Sequence, residues 1–372
     1  MKFSCTKDNL VEALSLVGGV AGKQVNLPIL SNILIKVNEQ KITLSATNLD
    51  IAVTAQVRGK VEREGSFTVP ARMMSDFVGL LSAERIDLAV EGEEMVIAAG
   101  KSITKIKGIG SDEFPIIPTL EQGLRLVVAP LDLKKGFSEV LSSVARNDIR
   151  PELSGIFLGI NVYERKGLTL AATDSYRLAE TLIPLLEGNE ERRSIIPAKT
   201  AQEIVRIIAL ENVEEKKVEI LLGENQINVR YGSTELVSRL VEGVYPDYVQ
   251  IIPQTFKTVA NIPLQQFVKE IKAAGLFTTS GVNAITVSLK PEKGVISLSS
   301  VSTQAGEYVS EIPVEISGEE TTILLSHRYL LDGLQLLEGD VAVLKIINGD
   351  SPCLLVPVEK EGLRYIIMPI RQ

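Results

Sequence analysis

Four kinds of segment recur in this chain, in the same order, three times over, at intervals of about 125 residues. The first is helical. Residues 3–20, 131–145 and 262–277 place apolar side chains at i, i+3 and i+4, with Leu10, Phe137 and Phe267 in matching positions. The second is a small turn feeding a strand: PILSNILIKV from Pro28, PELSGIFLGI from Pro151 and TTSGVNAITVSL from Thr278, which aligns Ser31, Ser154 and Ser280. The third is a strand, a polar turn and a strand: LSATNLDIAV from Leu44, LAATDSYRLAE from Leu170 and a diverged LSSVSTQAGEYVSE from Leu298. Thr47 corresponds to Thr173. The fourth is a strand running into a helix: FTVPARMMSDFVGLL from Phe67, SIIPAKTAQEIVRII from Ser194 and TTILLSHRYLLDGLQLL from Thr321. Here Pro70 matches Pro197, and Ser326 occupies the helix entry of the third copy. An alternating stretch closes each copy (95–107, 226–241, 353–370), and proline-containing connectors, DEFPIIPTL and GVYPDYVQIIPQTF, follow the first two.

The repeat divides the 372 residues into domains 1–121, 122–252 and 253–372, with no room for an unrelated fourth. Each reads as α+β, two helices packed on antiparallel sheets of short strands joined by tight turns. Trp is absent and aromatics make up 5% of the chain, so Val, Ile and Leu fill the core. No apolar run is long enough to span a membrane, and MKFSCTKDNL does not read as a signal peptide. Cys5 and Cys353 lack metal or redox spacing and read as reduced thiols of a cytoplasmic protein.

A repeated catalytic set is missing. The one histidine, His327, excludes a His-dependent triad or metal site in every copy and reads as a structural residue at a helix start. AGKS at 99–102 fails as a phosphate loop, because the first glycine of that motif would fall on Met95. Asp174 has no partner acid, lysine or histidine placed near it by pattern, and Thr173 with Asp174 reads as a turn cap. No cofactor is expected. Repeated domains without repeated chemistry suggest a scaffold or binding module. Two other classes stay open at this level: an enzyme whose site lies between repeats, and a repeat scaffold that binds only protein.

The chain carries a net charge of −8; a globally basic charge would suggest nucleic acid as a partner, and this one argues weakly against it. Its six helical segments are together close to neutral, so the excess acid sits on strands and turns. One reading is a solvated helix face with ordinary charge pairs. The other is a helix face turned toward a polyanion.

The sequence resembles the bacterial DNA polymerase III β subunit, the β sliding clamp family, over its whole length. The resemblance is carried by MKF at the start, LPIL (27–30), TVPAR (68–72), FP in the first connector, LAATDSYRL (170–178), YPDY (245–248) and YIIMPIR (365–371). It implies a head-to-tail homodimer closing a six-domain ring, with helices lining the hole. It implies a non-catalytic, DNA-binding processivity factor of DNA replication. This subunit of a DNA-directed DNA polymerase, a nucleotidyltransferase, encircles double-stranded DNA without reading its sequence. The implied partners are the polymerase III catalytic subunit, a separate ATP-driven clamp loader, and other polymerases or repair proteins carrying a clamp-binding linear motif.

Carried over residue by residue, the resemblance implies DNA contacts at Lys23, Gln24, Arg72, Arg146, Asn147, Arg150 and Lys199. Gln24 stands where the family usually has arginine, and Pro151-Glu152 where it often has tyrosines. It implies a hydrophobic peptide pocket from Leu153, Thr173, Ser175, Tyr176, Arg177, Leu178, Pro246, Gln250, Ile251, Pro352, Ile366, Ile367, Met368, Pro369 and Ile370. Ser175-Tyr176 replaces the family's frequent Gly-His, and Gln250 its arginine. Strand-end core is the plain alternative for the aliphatics. It implies a dimer interface joining Thr104 and Ile106 to Leu276 and Phe277, although a hydrophobic contact at the helix end explains the last two equally well.

Overall fold

The structure is a computed structural model. It describes every residue except 23–26, 40, 147–148, 212–216, 280, 282, 359–361 and 372. Lys23, Gln24, Asn147 and Ser280 therefore lie outside the described residues. Among those described, the chain forms 26 strands and six α-helices: α1 (Lys7–Gly18), α2 (Ala71–Leu80), α3 (Pro130–Leu141), α4 (Ala198–Leu210), α5 (Leu264–Gly275) and α6 (His327–Leu334). Two helices fall in each repeat, as the periodicity predicts. None is long and apolar enough to cross a membrane.

Amphipathic spacing explains where the helices lie. Leu10, Phe137 and Phe267, the matching apolar positions of α1, α3 and α5, are all fully buried, each burying enough apolar surface to stabilise its domain by roughly 2–3 kcal/mol. Thr6 caps α1 by accepting from the Asn9 amide at 3.3 Å.

The chain packs as two compact units, residues 1–135 with 184–190 and 199–241, and residues 136–183 with 191–198 and 242–372. Every strand pairing is antiparallel. In the first unit one sheet runs in the order Gly59–Arg63, Lys2–Thr6, Arg85–Glu91, Glu94–Ala99, Ser102–Lys107. An eight-stranded sheet crosses from the second repeat to the first where Thr234–Arg239 pairs with Ile51–Val57, Leu236 opposite Val53. In the second unit a nine-stranded sheet crosses from the second repeat to the third, where Arg177–Ile183 pairs with Arg364–Ile367 and Ala179 stands opposite Tyr365. Its companion sheet has four strands with Gly306–Pro313 on the outside.

Repeat equivalence extends to single hydrogen bonds. The Ser31 hydroxyl donates to the Pro28 carbonyl at 2.6 Å and that of Ser154 to Pro151 at 2.7 Å, each closing a short 3-10 turn. Thr47 donates to the Ile51 carbonyl and accepts from the Leu49 amide, both at 3.0 Å. Thr173 does the same with Arg177 and Ser175, at 2.6 and 3.1 Å. In both turns the next side chain, Asn48 or Asp174, accepts two further amides through Oδ1. Asp174 is thus the turn residue its setting predicts. In the third copy Ser302 accepts from Gln304 and Ala305, a different closure.

These turns force a left-handed backbone on non-glycine residues, φ 78° at Leu49 and 75° at Ser175, which costs roughly 1–2 kcal/mol each. Leu49→Gly should therefore raise stability by about 1 kcal/mol, read as a higher urea midpoint. Leu49→Val, whose β-branch fits this backbone worse, should lower it.

Candidate functional site

The Asp174–Tyr176 turn sits beside the chain's last strand in the second unit. Met368 donates its amide to the Tyr176 carbonyl at 2.9 Å, and Ile370 to that of Leu324 at 2.8 Å. These two bonds lay the segment 368–370 along the turn, with Met368, Pro369 and Ile370 half-buried. Pro352 is half-buried too, one residue before Cys353, which pairs with Ile367. Leu178, Ile366 and Ile367 are at most 1% exposed and form the floor beneath.

Arg177 fixes this floor. It is only 6% exposed, so its donors need partners inside the protein. Its Nε donates to Asp174 at 3.0 Å, its Nη1 reaches Asp332 of α6 and lies 3.4 Å from the Tyr365 hydroxyl, and the guanidinium stands 4.6 Å from the centroid of the Tyr329 ring. Burial works against the charge, but Tyr365 and Asp332 outweigh it, and the guanidinium pKa lies above its ordinary value. Tyr365 in turn donates to the Tyr329 carbonyl at 3.0 Å. Tyr176, 63% exposed, stacks on Tyr329 with ring centroids 6.4 Å apart. It forms an aromatic rim over the apolar floor.

The YPDY connector supplies the facing wall. The Tyr245 hydroxyl accepts from the Thr173 amide at 3.1 Å, and the Tyr248 hydroxyl donates to Glu180 at 2.9 Å. Phe157, Tyr163, Tyr245 and Tyr248 pack ring against ring at 5.5–6.3 Å. Burial raises the pKa of both connector tyrosines, so both stay protonated. The anchored connector leaves Pro246 half-buried and Gln250 and Ile251 exposed, with the Gln250 amide donating to Asp247 at 2.8 Å. Leu153 is 3% exposed.

The sequence reading did not single out Tyr329, Asp332 and Tyr365, which orient Arg177 from the third repeat. The HRYLLD helix signal and the YIIMPIR segment contain them without announcing that role.

The cationic positions are dispersed. Arg72 and Lys199 are exposed in the first turns of α2 and α4, where the helix dipole disfavours a cation. Arg72 has only an exposed partner, Asp76, at 3.6 Å, a pairing worth little. Arg146 and Arg150 are exposed after α3, with Arg150 donating to Glu152 at 3.0 Å. His327 Nδ1 lies 2.9 Å from the Asn283 carbonyl, a structural contact at the start of α6. No cluster of three or more His, Cys, Asp or Glu that could hold a metal occurs among the described residues. Burial pushes both cysteine thiols up to about 12, so neither is a ready nucleophile.

Thr104 is half-buried and Ile106 is 3% exposed on Ser102–Lys107, which presents Ile103 instead, 72% exposed. Leu276 is 75% exposed, and Phe277 stacks on Tyr308 at 5.8 Å.

Two-helix α+β repeats joined strand to strand into shared sheets, with a half-buried apolar rim at one joint, define a clamp-type protein. Sequence models of the N-terminal, central and C-terminal domains of the DNA polymerase III beta subunit match residues 1–118, 128–247 and 249–371, and the chain belongs to that family. A beta sliding clamp from Synechococcus elongatus is 27% identical over 377 residues, covering 100% of this chain and 99% of its own. A crystal structure of the DNA polymerase sliding clamp from Bacillus subtilis superposes with a TM-score of 0.93 at 28% identity, covering 100% of this chain and 99% of that one. The sliding clamp of Pseudomonas aeruginosa bound to griselimycin gives 0.93 at 26%, covering 100% of both. By this membership the chain is a sliding clamp and a non-catalytic subunit.

The packing of Arg177 against α6 carries a test. A Cβ on Gly333 would overlap the Tyr365 ring. Replacing a helical glycine by alanine ordinarily stabilises by about 1 kcal/mol. Gly333→Ala should do the opposite, lowering the melting temperature and weakening peptide binding together.

Proposed function

We propose that two copies of this chain close head to tail into a ring around duplex DNA and that short apolar peptides of its partners dock on the rim of Tyr176, Met368 and Ile370. The clamp domains are 1–121, 122–252 and 253–372. The partners are the polymerase catalytic subunit, an ATP-driven loader and other polymerases or repair proteins with such a motif, in the cytoplasm. The pocket is lined by Leu153, Thr173, Ser175, Tyr176, Arg177, Leu178, Pro246, Gln250, Ile251, Pro352 and 366–370.

One observation carries the ring: two repeat junctions are filled within the chain, and among the described residues the strands that would make a third are each open on one side. Ser102–Lys107 follows a two-residue glycine turn as Thr234–Arg239 does, and Gly306–Pro313 stands where Ile51–Val57 and Arg177–Ile183 stand in their repeats. Both are outer strands of their sheets, and an unpaired outer strand invites another. Applying the register of the filled junctions sets Thr104 opposite the partner's Tyr308, Ile103 opposite the partner's Val309 and Lys105 opposite the partner's Glu307. Exposed Ile103 and Val309, 72% and 67%, thereby cover each other. Leu80 of α2 is 84% exposed, whereas Ile207, its counterpart in α4, is 4% exposed. Leu276 follows α5 as Gly19 follows α1, and a Cβ on Gly19 would lie 2.7 Å from Arg206 of α4. A heterologous contact of this kind closes a ring.

Cations at Arg72, Arg146, Arg150 and Lys199, together with Lys23, Gln24 and Asn147, supply contacts to phosphate, which hold DNA and let it slide.

In solution the mass should be twice 40.5 kDa. Glu307→Lys should shift the chain toward monomer in sedimentation, and adding Lys105→Glu should restore the dimer. A double variant no better than the single one would refute the register. The wild-type ring should stay on nicked circular DNA and be lost on linearisation. Arg72→Glu with Lys199→Glu should weaken retention and flatten its salt dependence by about one unit of slope per lost phosphate contact.

A further inference from the structure

We infer a second peptide-docking site, on the first repeat, at the place corresponding to the rim above, selective for an apolar side chain flanked by Lys or Arg. It rests on reading that rim as a peptide site.

The two places share their backbone. The turn at Leu49 has the Thr cap, the Asx bonds and the positive φ of the turn at Ser175. Arg239 donates its amide to the Asp50 carbonyl at 3.3 Å, as Met368 does to Tyr176. The 3-10 turn Pro28–Ser31 precedes the first site as Pro151–Ser154 precedes the second. Its Ile29 and Leu30 pack with Phe114 and Ile117 of the first connector, the counterparts of Tyr245 and Tyr248. All these residues belong to the first unit.

The side chains differ in one coherent way. Ile51, 5% exposed, replaces Arg177, so the floor has no buried cation. On the 3-10 turn's entry, the Thr-capped turn and the connector, Leu27, Leu49 and Ile116 are 46%, 50% and 95% exposed. A leucine held in left-handed backbone and turned to water gains nothing for the fold. Exposed Asp50 follows Leu49 in this turn, and exposed Asp112 and Glu113 precede Phe114 in the connector, none of the three in an ion pair among the described residues. An apolar surface edged by unpaired carboxylates complements an apolar peptide with basic flanks, whereas at the second site Asp174 and Asp332 are already engaged by Arg177.

The test uses the full chain and a fluorescein-labelled hexapeptide, Lys-Leu-Leu-Phe-Lys-Arg, beside a counterpart with its three cations replaced by Glu. Anisotropy and stoichiometry should show two sites for the basic probe and one for the acidic one. Leu49→Ser with Ile116→Ser should remove one basic-probe site, and Asp50→Lys with Glu113→Lys should weaken it about tenfold, with the melting temperature unchanged. Met368→Ala should remove only the other. A single site lost with Met368, unchanged binding after the Leu49 and Ile116 substitutions, or no uptake of the probe overturns the inference. Loss of the first-repeat site alone, with Met368→Ala silent, supports it and removes the reading of the Tyr176 rim instead.

Discussion

Strand pairing between repeats is the constraint on which the rest depends. A domain of this size exposes outer strands whose amides and carbonyls need partners. Here the closing strand of one repeat fills the open edge of the one before it, through Leu236 opposite Val53 and Tyr365 opposite Ala179. Those four residues are at most 1% exposed. The joint is therefore both hydrogen-bonded and packed, and it extends each sheet across a domain boundary. Helix packing follows the same joints: in the first unit Arg206 of α4 donates to the Ser15 carbonyl at 2.7 Å and reaches that of Leu16 near the end of α1, where a cation favours the helix dipole.

The half-buried rim of Tyr176, Met368 and Ile370 is a by-product of such a joint. Where Arg364–Ile367 meets Arg177–Ile183, the chain beyond the last strand must leave the sheet, and it does so along the Asp174–Tyr176 turn. Apolar side chains are then left half-buried because the sheet has ended. Arg177 stabilises this ending by tying a turn of the second repeat to α6 of the third. A guanidinium can do this because its donors point several ways at once. Removing both of its carboxylate partners would leave a buried charge uncompensated, a loss of about 3–5 kcal/mol.

Much of this was legible in the sequence, for local reasons. Helix positions followed from the periodicity that buries Leu10, Phe137 and Phe267. The turns followed from Thr47-Asn48 and Thr173-Asp174, whose side chains bond their own backbone. The domain count followed from repetition. What could not be read was register across long separations. Tyr329, Asp332 and Tyr365 come to Arg177 from more than 150 residues away, and no local pattern announces that meeting. Likewise Ile106 stood in the sequence beside Ile103 with equal claim to the surface. Only the pairing with Met95 turned Ile106 inward.

The aromatic inventory has a practical consequence. With Trp absent, the chain's ultraviolet fluorescence comes from its eight tyrosines. All but Tyr231 lie in the second unit, several of them packed ring on ring or stacked beside the Tyr176 rim. Emission and near-ultraviolet dichroism therefore report on one half of the molecule. Loosening of the first unit would pass nearly unseen by these probes, and an apparently cooperative optical transition would describe the second unit alone.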